Sequence, residues 1–312
     1  MIEKVPMRDG YGKALLELCA KRDDVMVLDA DVAKSTRTVW IKDKFPDRFI
    51  DMGISEQDMV GTASGLALSG MIPFISTYCV FLAGRAWDQI RTTVCYNKLN
   101  VKLGGAHAGI SVGPDGATHQ ALEDIALMRV LPGMTVIAPC DAEETRKATL
   151  AMAEINGPCF VRFGREAVPV VTDENTPFEV GKARLVREGS DVSIFACGPM
   201  VYEATAAAEQ LAQEGISAEV FDLHTIKPID TDAVVASVKK TGCAVTAEEH
   251  QYYGGLHGAV SECLTANYPA PLEAVAVYDR FGESGDPGEL MKKYKLTAEG
   301  IIEKVRAVLK RK

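Results

Sequence analysis

Two carboxylates open an otherwise uncharged stretch, GISEQDMVGTASGLALSG, at residues 53–70. The residues after Glu56 and Asp58 are small, apolar or neutral polar, which predicts a helix buried on nearly every side. Ser55 and Asp58 have the spacing of a capping box, and Glu56 would complement the helix dipole. The local pattern favours these structural roles, so a catalytic role for Glu56 needs support from the rest of the chain.

A second candidate is the glycine-rich segment GAHAGISVGPDGATHQALED, which carries His107, Asp115 and His119. Such loops let a ligand approach the backbone closely, and two of the five histidines of the chain lie here, which favours function. The structural alternative is a turn at residues 114–116 followed by a helix capped by Thr118. A metal site is not predicted, because no third ligand falls at a recognised spacing.

Aromatic and basic residues follow the strand-like segments. Tyr78 and Phe81 in STYCVFLAG either fill the core or stack on a flat heterocycle. Arg8, Arg162 and Arg165 are ordinary surface arginines unless an anion binds nearby. In parallel α/β sheets, ligands bind beyond the carboxyl ends of the strands, and this makes these positions informative.

The composition narrows the classes of protein. The chain has 312 residues, 47% of them hydrophobic and 25% charged, as in a globular protein of about two domains. A net charge of -9 argues against binding to nucleic acid or an anionic membrane. No apolar run reaches the length of a membrane span, and the eight scattered cysteines predict reduced core thiols, so we expect a cytoplasmic protein.

Strand-like runs alternate with helical segments through the whole sequence, which predicts two doubly wound α/β domains. The first includes a helix through LAGRAWDQIRTTVCYN, and we expect it to span residues 1–170. A polar, proline-containing linker follows at 171–188, and a smaller domain spans 189–312. His224 and His250 follow strands of this second domain.

Taken in order, several long motifs resemble the C-terminal half of transketolase over essentially the whole chain. They are DADVAKS, GISEQDMVGTASGLALSG, STYCVFL, AHAGISVGPDGATHQALED, VRFGRE, DLHTIKPID, AEEHQYYGGLHGAV and DRFGESG. The resemblance implies a pyrimidine-binding domain for thiamine diphosphate, followed by a transketolase C-terminal-like domain. The same halves of 1-deoxyxylulose-5-phosphate synthase and 2-oxoacid dehydrogenase E1 are also similar, but GISVGPDGATHQALED is most like transketolase.

This resemblance gives Glu56 a chemical role. It aligns with the glutamate that hydrogen-bonds the aminopyrimidine ring of thiamine diphosphate. Sharing a proton with the ring nitrogen favours the imino tautomer, which then takes the proton from the thiazolium carbon to give the ylid nucleophile. Tyr78 and Phe81 match aromatics that pack around the pyrimidine, and Asp31 matches an aspartate lining the cofactor site.

The resemblance also implies substrate-binding residues. His107 and His119 match histidines that contact sugar hydroxyls and move protons during ketol cleavage, and Asp115 matches the residue that reads the hydroxyl next to the acceptor carbonyl. The phosphate-holding group of sugar-phosphate transketolases aligns with Arg8, Ser35, His107 and Arg165. His107 therefore has two possible roles, at the phosphate or in proton transfer. Gly84 or Arg85 stands where the family has a further aromatic.

The diphosphate-binding signature of these enzymes, GDG followed some thirty residues later by asparagine, does not occur here. We therefore expect an N-terminal transketolase subunit to hold Mg²⁺ and the diphosphate. Because Met1 lies just before the pyrimidine-type domain, we expect a naturally separate subunit in an α2β2 assembly. The alternatives are a relative that uses pyruvate, a transketolase for a specialised sugar, and a noncatalytic scaffolding subunit. The donor sugar, acceptor sugar and pathway stay open.

Overall fold

The computed structural model describes residues 3–312, and its strands gather into two sheets of unequal size. The elements of the first part are β1 Lys4–Pro6, α1 Met7–Lys21, β2 Val25–Asp29, α2 Ala33–Thr36, α3 Val39–Lys44, β3 Phe49–Asp51, α4 Glu56–Leu68, β4 Ile72–Tyr78, α5 Cys79–Arg85, α6 Trp87–Gln89, β5 Lys102–Ala106, α7 Asp124–Arg129, β6 Thr135–Ile137, α8 Ala142–Glu154, β7 Cys159–Phe163 and β8 Ala167–Pro169. Turns of 3-10 helix cover Pro46–Arg48 and Ile110–Asp115, and a π-helical turn covers Ile90–Cys95.

The elements of the second part are β9 Arg184–Arg187, β10 Val192–Ala196, α9 Met200–Gln213, β11 Ala218–Asp222, β12 Thr225–Lys227, α10 Thr231–Thr241, β13 Ala244–Gln251, α11 Leu256–Asn267, β14 Leu272–Val277, α12 Pro287–Lys293 and α13 Ala298–Leu309.

The larger sheet has seven strands in the order β12-β6-β7-β5-β4-β2-β3. Its adjacent strands are parallel, except that β12 is antiparallel to β6. The smaller has five in the order β14-β13-β10-β11-β9, with only β9 antiparallel. Strands β5 and β10 are buried at every residue, as expected for sheets covered on both faces. The predicted α/β class, with two units built on mainly parallel sheets, is confirmed.

One strand crosses between the two units. β12 lies in the second part of the chain, yet it pairs with β6 at the edge of the larger sheet, with Thr225 opposite Ile137. The sequence did not indicate this exchange. The domain limits stay a prediction, and β9 lies inside the segment 171–188 that we predicted as a linker.

Helix α4 is not buried on nearly every side, as we had predicted. Gly61, Gly65 and Leu68 face outward, with Leu68 75% exposed, because this face of the helix meets no other part of residues 3–312. The capping box is also wrong. Ser55 precedes the helix with φ −152° and ψ 67°, outside the extended region typical of caps, and its hydroxyl makes no capping hydrogen bond, while Asp58 is exposed.

The single helix predicted through residues 82–97 is interrupted. It begins earlier, as α5, and ends at Arg85; α6 covers only three residues and leads into the π-helical turn. The interruption places Arg85 at the C-terminal end of α5, where its guanidinium reaches the first residue of α4. Irregular helical turns of this kind are frequent at functional sites.

The eight cysteines all lie in the described part of the chain, and each is buried and free, as predicted for core thiols. Across residues 3–312, no helix combines the length and the apolar character needed to cross a membrane.

Candidate active site

The loop after β2 is organised by the buried carboxylate of Asp29. This carboxylate accepts hydrogen bonds from the amide of Val32 at 2.7 Å and from the hydroxyls of Thr36 and Thr38 at 2.7 and 2.8 Å. Burial raises the pKa of Asp29 to about 6, although the hydrogen bonds oppose the shift. The loop passes through Asp31 with φ 62°, and this geometry turns α2 towards the carboxyl end of β4.

Glu56 begins α4, directly beside the end of β4. Its side chain is 1% exposed, and Oε2 accepts a hydrogen bond from Nη1 of Arg85 at 2.7 Å. The other oxygen, Oε1, has a single long contact of 3.4 Å with the hydroxyl of Thr77. A buried carboxylate therefore has one well-bonded oxygen and one whose bonding capacity is largely free.

Four flat rings form a cluster that Arg85 links to this carboxylate, because its guanidinium also lies 4.6 Å from the centroid of the Phe81 ring. The ring of Tyr78 lies 4.3 Å from that of His107, 5.9 Å from that of His119 and 6.2 Å from that of Phe81, measured between centroids. The rings of Phe81 and His119 meet edge-on at 5.3 Å. The structure thus brings together two aromatics and two imidazoles that are separated by up to 41 positions in the sequence.

His107 follows β5 in a left-handed conformation, with φ 57°. Its ring is 2% exposed, and Nδ1 has no hydrogen-bond partner within the described chain. Burial, together with the positive charges of Arg8 and Arg165, lowers the pKa of His107 to about 3. The imidazole is therefore neutral at physiological pH and available for a hydrogen bond.

Arg8 is the basic residue whose charge lowers the pKa of His107 most. Its Nη1 donates to the carbonyl oxygen of Ser35 at 3.3 Å, while its buried Nε has no partner among residues 3–312. Burial lowers the pKa of Arg8, and the neighbouring charge of Arg37 acts in the same direction. The hydroxyl of Ser35 lies 3.1 Å from that of Tyr78, which links the basic residue to the ring cluster.

Asp115 and Arg165 face one another across the mouth of the site. Nη1 of Arg165 donates to Oδ1 of Asp115 and to the carbonyl oxygen of Val112, both at 3.2 Å. The two charged side chains are each about one third exposed, so the pair is accessible to solvent. Asp31 is exposed and lines a cavity of about 330 Å³ together with Ser35 and Tyr78.

Elements of the second unit hold the loop that carries the histidines. Glu249, at the end of β13, accepts a hydrogen bond from the amide of Ser111 at 2.5 Å. Nε2 of Gln120 donates to the carbonyl oxygens of Ile110 and Glu283 at 3.0 and 2.9 Å. The motifs AEEHQYYGG and DRFGESG thus hold this loop through hydrogen bonds to its backbone and to Gln120. The only sequence signal for this role was that both motifs lie at or after the end of a strand.

Arg162 was grouped with the possible surface arginines, and this interpretation was wrong. It is 5% exposed and donates through Nε to Asp124 at 2.7 Å and through Nη2 to the carbonyl oxygen of Glu249 at 3.2 Å. The ion pair lies within the first unit, and the bond to Glu249 joins it to the second. Removal of one partner from such a buried pair costs about 3–5 kcal/mol. His224 and His250 are also buried away from the ring cluster, His224 against Phe178.

Sequence reasoning missed three residues that shape the site. Thr77 and Arg85 contact the buried carboxylate, and Arg37 contributes charge beside Arg8. Arg37 has φ 71°, and its Nε donates to Asp9 at 2.6 Å. None of these contacts follows a sequence spacing, since each depends on how the strands are ordered in the sheet.

One group of three metal-type ligands, Cys140, Glu144 and Asp222, occurs in the described chain and includes neither His107 nor His119. Arg184 donates to Asp222 at 2.9 Å, so a positive charge already balances these carboxylates. Burial, followed by the charge of Asp222, raises the pKa of Glu144, which reduces its negative charge further. The cluster does not fit a divalent cation.

We predict that His107 stays neutral well below the pH at which an exposed imidazole gains its proton. Its pKa is about 3 in the folded chain against 6.5 for an ordinary imidazole, so the unfolded state binds more protons between these values. His107 therefore contributes stability above pH 6.5 that is lost progressively as the pH falls towards 3.

Nitrogen-15 chemical shifts of histidine-labelled protein at pH 5 should show the pattern of a neutral ring for His107. His107→Gln identifies the resonance and should flatten the pH dependence of urea unfolding in the same range. A protonated ring at pH 5 would contradict the burial and charge argument.

Comparison with known proteins assigns both units. The family model for the transketolase pyrimidine binding domain matches residues 3–171, and that for the transketolase C-terminal domain matches residues 181–301. A putative transketolase C-terminal section from Methanocaldococcus jannaschii is 44% identical over 98% of this chain and 96% of the relative. The 6-deoxy-6-sulfo-D-fructose transketolase subunit SqwH of Clostridium sp. (strain MSTE9) is 43% identical over 100% of this chain and 97% of the relative.

A solved structure agrees with these matches. It is described as a split gene transketolase, inactive beta4 tetramer, and it superposes with a TM-score of 0.91 at 46% sequence identity, covering 99% of each chain. Sequence, fold and the grouping of the site residues lead to one conclusion. The chain belongs to the transketolase family and spans its C-terminal half, the pyrimidine-binding and C-terminal domains.

Proposed function

We propose that this chain is the C-terminal subunit of a split transketolase that depends on thiamine diphosphate. Together with an N-terminal subunit, it transfers a two-carbon ketol unit from a ketose phosphate to an aldose phosphate. The observation that carries the proposal is the buried carboxylate of Glu56, which Arg85 links to the cluster of rings formed by Tyr78, Phe81, His107 and His119. A glutamate that only complemented the dipole of α4 would need neither this burial nor these neighbours.

The residues present fit the aminopyrimidine end of the cofactor. Oε1 of Glu56 has only its 3.4 Å contact with Thr77, so it can share a proton with a ring nitrogen. Tyr78 and Phe81 offer aromatic surfaces for a flat ring, and Asp31 lines the adjoining cavity. When bound, thiamine diphosphate supplies the carbon nucleophile that attacks the ketose carbonyl.

The two histidines would handle the sugar. Neutral His107, whose Nδ1 is buried and without a partner among residues 3–312, can form a hydrogen bond with a sugar hydroxyl. His119 faces the same rings, and the hydroxyl of Thr118 at 2.9 Å from its Nδ1 fixes the orientation of the imidazole. Asp115, at the partly exposed mouth, can accept a hydrogen bond from the hydroxyl next to the acceptor carbonyl.

Arg8, Ser35 and Arg165 would bind the phosphate at the far end of the sugar. The unpartnered Nε of Arg8 and the solvent-accessible guanidinium of Arg165 offer the planar donors that oxyanions prefer. Their charges already act together, since both lower the pKa of His107. His107 could contribute here instead of in proton transfer.

The exposed face of α4 suits the N-terminal subunit. A side chain built at Gly61 or Gly65 would meet nothing within 4 Å, so another chain can approach the helix backbone closely there. That partner would hold the diphosphate and Mg²⁺, in an α2β2 assembly located in the cytoplasm. Similarity to a C-terminal section and a transketolase subunit over nearly their whole lengths supports a divided enzyme.

A second candidate differs in the sugar. The 43% identical relative is named for 6-deoxy-6-sulfo-D-fructose, so a sulfonate could take the place of the phosphate at the arginines. A pyruvate-using relative is less well supported, because two imidazoles and Asp115 suit a polyhydroxylated donor. The chain keeps Glu56, buried with one oxygen largely free, and both His107 and His119 against Tyr78, which argues against a noncatalytic scaffold.

The first prediction concerns the partner. The isolated chain should bind thiamine diphosphate poorly and show no ketol transfer, and addition of a subunit with the GDG signature should restore both. Cofactor binding and transfer between sugar phosphates are measured with and without that subunit. Full turnover by the purified chain alone would contradict the proposal.

The second prediction tests whether Arg165 binds the phosphate group of the sugar substrate. Arg165→Ala should raise KM for phosphorylated sugars roughly ten- to a hundredfold, the value of a charge-assisted contact, and leave neutral sugars nearly unchanged. The panel includes a sulfonated sugar, and Arg306→Ala, which removes a surface pair with Glu214, is the control. Equal losses on charged and neutral sugars would show that Arg165 is structural.

A further inference from the structure

Arg85 occupies a position that the proposed function does not explain. Its Nη1 donates to Oε2 of Glu56 at 2.7 Å, and its guanidinium lies over the ring of Phe81, 4.6 Å from the centroid. The contact with Glu56 is its single hydrogen bond within residues 3–312. Its side chain is 47% exposed, whereas that of Glu56 is 1% exposed.

These two contacts match the ones expected of the cofactor ring. A guanidinium is flat and cationic, donates N–H groups in its own plane and stacks on aromatic faces. A protonated aminopyrimidine shares these properties, and it would use the same carboxylate and the same aromatic ring. Two flat cationic groups cannot stack on the same face of Phe81, and a pyrimidine bonded to Oε1 of Glu56 would place a second positive charge beside the guanidinium on Oε2.

We propose that Arg85 holds the place of the pyrimidine on Glu56 and Phe81, and that it must leave before the cofactor binds there. This inference rests on the proposed function. Arg85 thereby supplies the cationic partner that a buried carboxylate requires. The free energy needed to release it from Glu56 lowers the apparent affinity for the cofactor. Arg85 is in this sense an affinity-determining residue that acts through Glu56.

The local fold permits this exchange. Arg85 is the last residue of α5, and the helix is interrupted immediately after it, so the side chain can turn away without unwinding a helix interior. Because half of the side chain already contacts solvent, the released guanidinium can be hydrated or can meet an acidic group of the partner subunit.

The test uses Arg85→Met in the complex of the chain with its N-terminal subunit. Methionine keeps the length and the apolar contact with Phe81 but removes the charge and the donors. The Kd for thiamine diphosphate, measured with Mg²⁺ by quenching of protein fluorescence, should fall about tenfold, the value of one charge-assisted hydrogen bond. Arg306→Met, which removes a surface pair with Glu214, should leave Kd unchanged.

A double-mutant comparison ties the effect to Glu56. In a Glu56→Gln complex, Arg85→Met should no longer tighten binding, because the amide offers no charge for the guanidinium. In the isolated chain, Arg85→Met should lower Tm by leaving Glu56 buried without a cation, and adding Glu56→Gln should recover most of that loss. These melts need no cofactor.

The outcomes separate this inference from the proposed function. A wild-type complex that binds the cofactor, together with Arg85→Met that binds it equally or more weakly, would overturn the inference alone and make Arg85 a support for Glu56. An unchanged Tm for Arg85→Met would show that the ion pair is absent, with the same consequence. Failure of the wild-type complex to bind any cofactor would overturn both.

Discussion

Burial of the Glu56 carboxylate is the constraint on which the rest of the site depends. A carboxylate at 1% exposure is stable only when a cation or hydrogen-bond donors surround it, and its own helix supplies neither. The partners come instead from β4 and α5, through Thr77 and Arg85. The order of strands in the larger sheet therefore determines the chemistry of this residue, since it brings the start of α4 against the end of β4.

The second unit contributes to the same site without supplying its reactive groups. Glu249 bonds the backbone at Ser111, and Gln120 bonds the backbone of the DRFGESG loop, so the loop with the two histidines is held between units. Arg162, which forms a buried pair with Asp124, also donates to the carbonyl oxygen of Glu249. A shift between the units would thus move His107 and His119 relative to Glu56.

The sequence allowed prediction of the fold class and of the residues that gather at the strand ends, because parallel strands leave their loops on one edge of the sheet. Prediction from the sequence failed where a charged residue pairs with a residue that is distant along the chain. Ser55 and Asp58 have a capping spacing but form no cap, since the helix-start position serves Glu56. Arg162 looked like a surface residue because its partner Asp124 is 38 positions away. Arg85 appeared only as a departure from the family pattern, and its contact with Glu56 spans 29 positions.

The most direct measurement is hydrogen–deuterium exchange at C2 of thiamine diphosphate bound to the reconstituted complex, compared between wild type and Glu56→Gln at full cofactor occupancy. If Glu56 shares a proton with the pyrimidine, the amide should fold normally and slow the exchange by a factor on the order of 10²–10⁴, the usual contribution of a general acid–base group. Wild-type exchange rates in a fully loaded Glu56→Gln complex would contradict the account and leave Glu56 as a charge at the start of a helix.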